Sequence, residues 1–210
     1  DGRAVHAHTS PHLVNWHERY RIGRKGEPGA LVDDAMLAEA VARAAKANAG
    51  APITVFEILT AVTFLLFSEN PADAVLLEVG LGGRFDATNV IEKPAVTVIT
   101  AISLDHQSYL GDRVELIAAE KGGIIKRGVP VVVGPQQEAA LEVSSAVRAG
   151  DLRTLQALYG SGGHGQRARE PAKGNRLLGH EEQRLQSTAG LLFVQGFQGL
   201  CLLDTGAIIR

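Results

Sequence analysis

Ala74-Val75-Leu76-Leu77-Glu78-Val79 is a near-continuous apolar run with turn signals on both sides. It does not alternate, so it has no water-facing side, and it predicts a strand buried on both faces, as in a parallel sheet. Val96 to Thr100 and Val129 to Val133 read the same way, with a helix predicted near Val114 to Lys121 between them. Leu37, Ala38, Val41, Ala42 and Ala45 recur at helical spacing, after Asp33 as N-cap and before Gly50 as a stop. Thr54-Val55-Phe56-Glu57 has capping-box spacing and leads into a second helix ending near Glu69. Strands alternating with helices predict an α/β domain with a parallel sheet.

Composition narrows the function classes. The 210 residues hold 45% hydrophobic and 21% charged residues, enough for one domain with a sizeable core. A net charge of -2 excludes a broad nucleic-acid or anionic-membrane footprint. Ile58 to Phe67, the longest greasy stretch, is too short to span a bilayer and reads as a core helix. Cys201 is the single cysteine, which fits a reducing, cytoplasmic setting. The start has neither an initiator Met nor an apolar leader, so the chain is expected to begin inside a longer gene product. Periodicity is lost after about Ala149. Residues 1–149 are read as the α/β domain and 150–210 as an irregular tail, either a flexible or disordered linker or a frameshifted continuation.

Three polar strings stand where ligands bind in open α/β sheets, after predicted strands. Glu78-Val79-Gly80-Leu81-Gly82-Gly83-Arg84-Phe85-Asp86-Ala87-Thr88-Asn89 puts a carboxylate before glycines that let backbone amides approach a ligand. These glycines match neither the dinucleotide fingerprint nor the phosphate loop ending in Gly-Lys-Ser/Thr. On its own the string also reads as a tight turn with Glu78 in a structural ion pair. Ser103-Leu104-Asp105-His106 follows the next strand, with Lys121 fifteen residues on. A lone histidine is more often a hydrogen-bonded loop residue, and a lysine beside a cation would be repelled unless its charge were removed. Thr9-Ser10-Pro11-His12-Leu13 exposes a serine hydroxyl on an extended backbone, or is a plain turn. His6, His8, His12 and His17 do not have the spacing of a zinc site.

Taken together, Thr9 to Leu13, Glu18-Arg19, Phe56-Glu57 with Thr60, Glu78 to Asn89, Leu104-Asp105-His106-Gln107 with Leu110-Gly111, and Glu120-Lys121 to Lys126 resemble the folylpolyglutamate/dihydrofolate synthase family of Mur-like ligases. The resemblance runs from about Val5 to Gln137. It implies a Mur-like ATP-binding central domain lacking its phosphate-loop strand and helix, since no Gly-Lys-Ser precedes Val5. The implied reaction is an ATP-dependent ligation of L-glutamate to dihydropteroate or a folate through an acyl phosphate, with Mg²⁺ as cofactor. By resemblance Ser10, Glu78 and His106 are magnesium positions, His106 and a carbamylated Lys121 serve catalysis, and Thr54, Val55, Phe56, Glu57 and Phe85 line the pterin pocket. Arg84 and Asn89 belong to the site loop. The parent is expected to be a monomer with no nucleic-acid or membrane partner. His8 stands where tyrosine is usual and Gly122 where alanine is usual. Another Mur-like amino acid ligase and a non-catalytic truncated remnant are the alternative readings.

Overall fold

The computed structural model describes residues 2–150 and the strand Leu192–Gln195. The expected irregular tail from residue 150 otherwise lies outside the described residues. In chain order the strands are β1 (Val5–His8), β2 (Tyr20–Arg24), β3 (Glu27–Leu31), β4 (Ala74–Leu77), β5 (Val96–Ile99), β6 (Val131–Val133) and β7 (Leu192–Gln195). The helices are α1 (Asp34–Asn48), α2 (Val55–Glu69), the single turn α3 (Gln107–Leu110), α4 (Val114–Gly122) and α5 (Glu138–Ala149). A short 3₁₀ turn, Trp16–Arg19, precedes β2.

The seven strands form one sheet in the order β3-β2-β1-β4-β7-β5-β6. β1, β4, β7, β5 and β6 run parallel, and β2 and β3 extend one edge antiparallel. β4 and β5 follow each other in sequence but are not neighbours, because β7 lies between them. The α/β reading with a parallel sheet therefore stands, with an antiparallel hairpin added. That hairpin and α5 were not expected. Arg21 and Arg24 break the apolar pattern of β2, and β3 contains Pro28 and Gly29, which weaken any strand signal. β6 needs a correction too. It is the edge strand, so Val132 is 55% exposed rather than buried on both faces.

The helix caps follow the local sequence. Asp33 caps α1 by accepting from the Met36 amide, and Thr54 and Glu57 form a reciprocal capping box on α2. From Thr60 to Phe67 every residue of α2 is buried, because the helix lies between the sheet and α1. Thr60 and Thr63 tolerate this burial by donating to the carbonyls of Phe56 and Leu59, one turn back. A first apolar cluster gathers Tyr20, Phe64, Phe67, Leu77 and Ile91. A second joins Val79, Ile99, Ile102, Ile117, Ile124 and Val143 around α4 and α5. The β4 segment feeds both clusters, Leu77 into the first and Val79 into the second. No helix among the described residues is long and apolar enough to cross a membrane.

The four N-terminal histidines do not converge on one point, although His8 and His12 both engage Arg19. His6 Nδ1 accepts from the Gly23 amide, so its Nε2–H donates to the Asn70 carbonyl. His8 has the opposite tautomer. The Thr63 hydroxyl proton goes to Leu59, so His8 Nδ1–H serves both Thr63 Oγ1 and the Arg19 carbonyl. His8 Nε2 is then a buried lone pair without a partner among the described residues. His12 accepts from Arg19 Nε, and His17 pairs with Asp34.

Candidate active site

The parallel strands β1, β4 and β5 all end at one edge of the sheet, and their following loops build the site. The loop after β1 winds around the carboxylate of Glu18, which accepts from the amides of Leu13, Val14 and Asn15 at 2.7–2.9 Å. Those amides hold the Glu18 carboxyl below its ordinary range. At the start of this loop the Ser10 amide donates to Glu78 Oε2 at 2.7 Å. Ser10 Oγ is buried and has no hydrogen-bond partner among the described residues. The Glu78 amide donates to the His8 carbonyl, so the β1–β4 ladder runs on until these two residues meet. Burial pushes the Glu78 carboxyl up, and the Ser10 amide offsets part of that rise.

The glycine string after Glu78 is a folded loop centred on Asp86. One carboxylate oxygen accepts from the Gly80 and Leu81 amides, and the other from the Thr88 amide and hydroxyl. Burial raises the Asp86 carboxyl in spite of these donors. The sequence reading passed over Asp86, although Asp-Ala-Thr is a usable signal for a side chain that closes a turn on the amide two residues on. Gly80 lies under the Phe56 ring. A Cβ there would stand 2.4 Å from Phe56 Cζ. Gly83 and Arg84 lie against the end of α4, where the Arg84 amide donates to the Glu120 carbonyl at 2.9 Å. Asn89 Nδ2 ties this contact down by donating to the carbonyls of Arg84 and Gly123.

Lys121, on the last turn of α4, lines an open cleft with Val79, Gly82, Val98, Ile99, Thr100 and Ile124. Burial pulls its ammonium below the usual lysine range, and the charge of Asp105 acts in the opposite direction. His106 follows with a left-handed backbone, φ +50°, and is the N-cap of α3. Its amide donates to Asp105 Oδ1 at 2.7 Å, and its imidazole lies 3.6 Å from Asp105 Oδ2.

The expected residues are thus distributed unevenly. Ser10 and Glu78 touch, Lys121 lines the cleft beside Gly82 and Thr100, and Arg84 and Asn89 hold the glycine loop to α4. Phe56 packs on Gly80, whereas Val55 and Phe85 are exposed, Phe85 by 74%. The Glu57 carboxylate accepts from the Thr54 amide at 2.7 Å, so the cap engages it. Among the described residues no cluster of three or more His, Cys, Asp or Glu could hold a metal on its own. A hydroxyl and a carboxylate at the Ser10–Glu78 contact are hard oxygen donors of the kind magnesium takes, and magnesium completes its shell with water or phosphate oxygens.

No family model matches the chain. Individual proteins do. The dihydrofolate synthase/folylpolyglutamate synthase of Bacillus subtilis is 44% identical over 147 residues, covering 68% of this chain and 33% of that protein. The folylpolyglutamate synthase of Lacticaseibacillus casei is 40% identical over 135 residues, covering 63% of this chain and 31% of that protein. Among solved structures, the apo form of L. casei FPGS superposes with a TM-score of 0.62 at 40% identity, covering 71% of this chain and 37% of that one. E. coli FolC in complex with DHPP and ADP gives 0.61 at 36% identity, covering 69% and 34%. This chain spans about a third of the length of the curated relatives it matches. Over part of its length the chain is thus similar, in sequence and in fold, to folylpolyglutamate synthases and dihydrofolate synthases.

Proposed function

We propose that this chain carries part of the active site of an ATP-dependent ligase that joins L-glutamate to dihydropteroate or a folate. The observation that carries this reading is the meeting of Ser10 and Glu78 just beyond the paired strands β1 and β4, beside the glycine loop that packs on the end of α4 bearing Lys121. The chemistry implied is activation of a substrate carboxylate as an acyl phosphate, which the amine of glutamate then attacks. A similar FPGS has been solved as an AMPPCP-folate complex and E. coli FolC with DHPP and ADP, which supports ATP and a pterin-bearing acid as substrates here.

Each residue's part follows from its environment. Ser10 Oγ and the Glu78 carboxylate would hold Mg²⁺, with His106 as the third expected position, and the ion when bound would neutralise charge on phosphate oxygens. Asp86 and Asn89 keep the loop from Gly80 to Thr88 folded beside that contact, so the amides of the loop need no rearrangement when charge develops. Burial of Lys121 enlarges its neutral-amine fraction, the form that adds carbon dioxide to become a carbamate and so exchanges a cation for an anion. Phe56 over Gly80, with Thr54, Val55, Glu57 and Phe85 nearby in sequence, supplies an aromatic wall for a pterin ring.

The 210 residues contain no Gly-Lys-Ser/Thr string, and we assign none of them to gripping the ATP phosphates. We place the parent protein in the cytoplasm as a monomer, with the chain as a partial Mur-like central domain. The test is calorimetric titration of residues 1–210 with dihydropteroate in magnesium chloride, alongside a turnover assay with ATP and glutamate. Binding without turnover is expected. Absence of pteroate binding, or turnover by the chain alone, would overturn the reading.

A further inference from the structure

The last ladder pair between β5 and β6 is Ile99 with Val133, after which the Gly134 amide donates to the Ile99 carbonyl at 2.8 Å. Beyond that point one side chain continues the connection. Gln136 Nε2 donates to the Thr100 carbonyl at 2.7 Å, and Gln136 Oε1 accepts from the Ile102 amide at 2.9 Å. A carboxamide presents donor and acceptor in one plane, as a peptide unit does, so it stands in for the next residue of a paired strand. Ile102 is buried at 3% exposure, so its amide has no water to replace this partner.

Four residues further on is His106, whose left-handed backbone is costly for a residue with a Cβ. Such a conformation persists only where the flanking structure imposes it. On its C-terminal side α3 does so. The Tyr109 and Leu110 amides donate to the His106 carbonyl, and Leu110 packs on the second apolar cluster. On its N-terminal side the anchor is the pair of Gln136 hydrogen bonds.

We propose that Gln136 is a positioning residue for the Ser103–His106 loop. It clamps the backbone on both sides of Ala101, and so sets where the loop carries Asp105 and where His106 presents its ring. The inference rests on the reading of the site given above. A substrate contact by Gln136 is not part of it.

Two variants of the full 210-residue chain test it. Gln136→Ala removes both hydrogen bonds. Gln136→Glu keeps the size and the acceptor for Ile102, but sets a carboxylate oxygen against the Thr100 carbonyl. Amide hydrogen exchange followed by NMR should show His106, Tyr109, Leu110 and Gly111 exchanging roughly tenfold faster in both variants, while Val62 to Phe67 in α2 keep wild-type rates. The His106 ring resonances, followed in a magnesium chloride titration, should half-saturate at roughly tenfold higher concentration. Wild-type exchange at the loop amides of both variants, or equal acceleration throughout α2, would overturn the proposal. A wild-type His106 that does not respond to magnesium defeats the metal reading instead, and the exchange result then decides Gln136 alone.

Discussion

Gly123→Ala sets two effects of opposite sign against each other. Gly123 closes α4 with helical dihedrals, φ -60° and ψ -12°, so alanine suits the backbone and would be expected to add about 0.5–1 kcal/mol by propensity. The tertiary structure reverses that. A Cβ at 123 would stand 2.4 Å from Arg84 Cβ and 2.5 Å from Arg84 Cα, and the glycine loop must retreat by about 1 Å to restore an ordinary carbon contact. That retreat stretches the Arg84 amide bond to Glu120 and the Asn89 bond to Gly123, each worth about 1 kcal/mol net. Overpacking adds about 1–3 kcal/mol. The balance is a loss of about 2–4 kcal/mol, which at a urea slope of about 2 kcal/mol per molar lowers the midpoint by about 1–2 M. Urea unfolding followed by circular dichroism measures it. A midpoint equal to or above wild type would refute the claim that the loop is wedged against α4. Because Lys121 precedes Gly123 by two residues, the same shift would also displace the amine lining the cleft.

Other substitutions probe separate parts of the fold. Phe64→Ala empties a fully buried site in the first cluster and should cost about 3–5 kcal/mol in urea unfolding, and a loss under 1 kcal/mol would contradict that packing. Thr54→Ala removes the hydroxyl that accepts from the Glu57 amide and should cost about 1 kcal/mol, measured the same way. His8 is held neutral by burial, its pKa lowered from 6.5 to about 4, so its contribution is complete above pH 6.5 and is lost as pH falls toward 4. The loss amounts to about 3 kcal/mol, and a His8→Gln variant should show a correspondingly flatter decline in unfolding free energy between pH 7 and 4.5. Equal slopes in the two proteins would sink that account.

The elements governed by short-range rules were legible from residue order alone. Asp33 and Thr54 mark the starts of α1 and α2 because a cap needs only its own side chain and amides two or three residues on. The apolar runs at Ala74 and Val96 announce strands because their β-branched and aliphatic residues follow one another without a charged position, Thr97 being the one polar interruption. The strings around Ser10, Glu78, His106 and Lys121 pointed to these synthases, since their order and spacing survive in the chain itself. What only the tertiary structure decided is adjacency. No local signal says that β1 pairs with β4, that β4 and β5 are separated by another strand, or that β6 is an exposed edge. Those choices rest on backbone pairing between distant segments, where each residue's preference is weak and the register is collective. For the same reason Gln136 looked like an ordinary polar loop residue, and it acquires its role only when folding brings the Ile102 amide and the Thr100 carbonyl to its side chain.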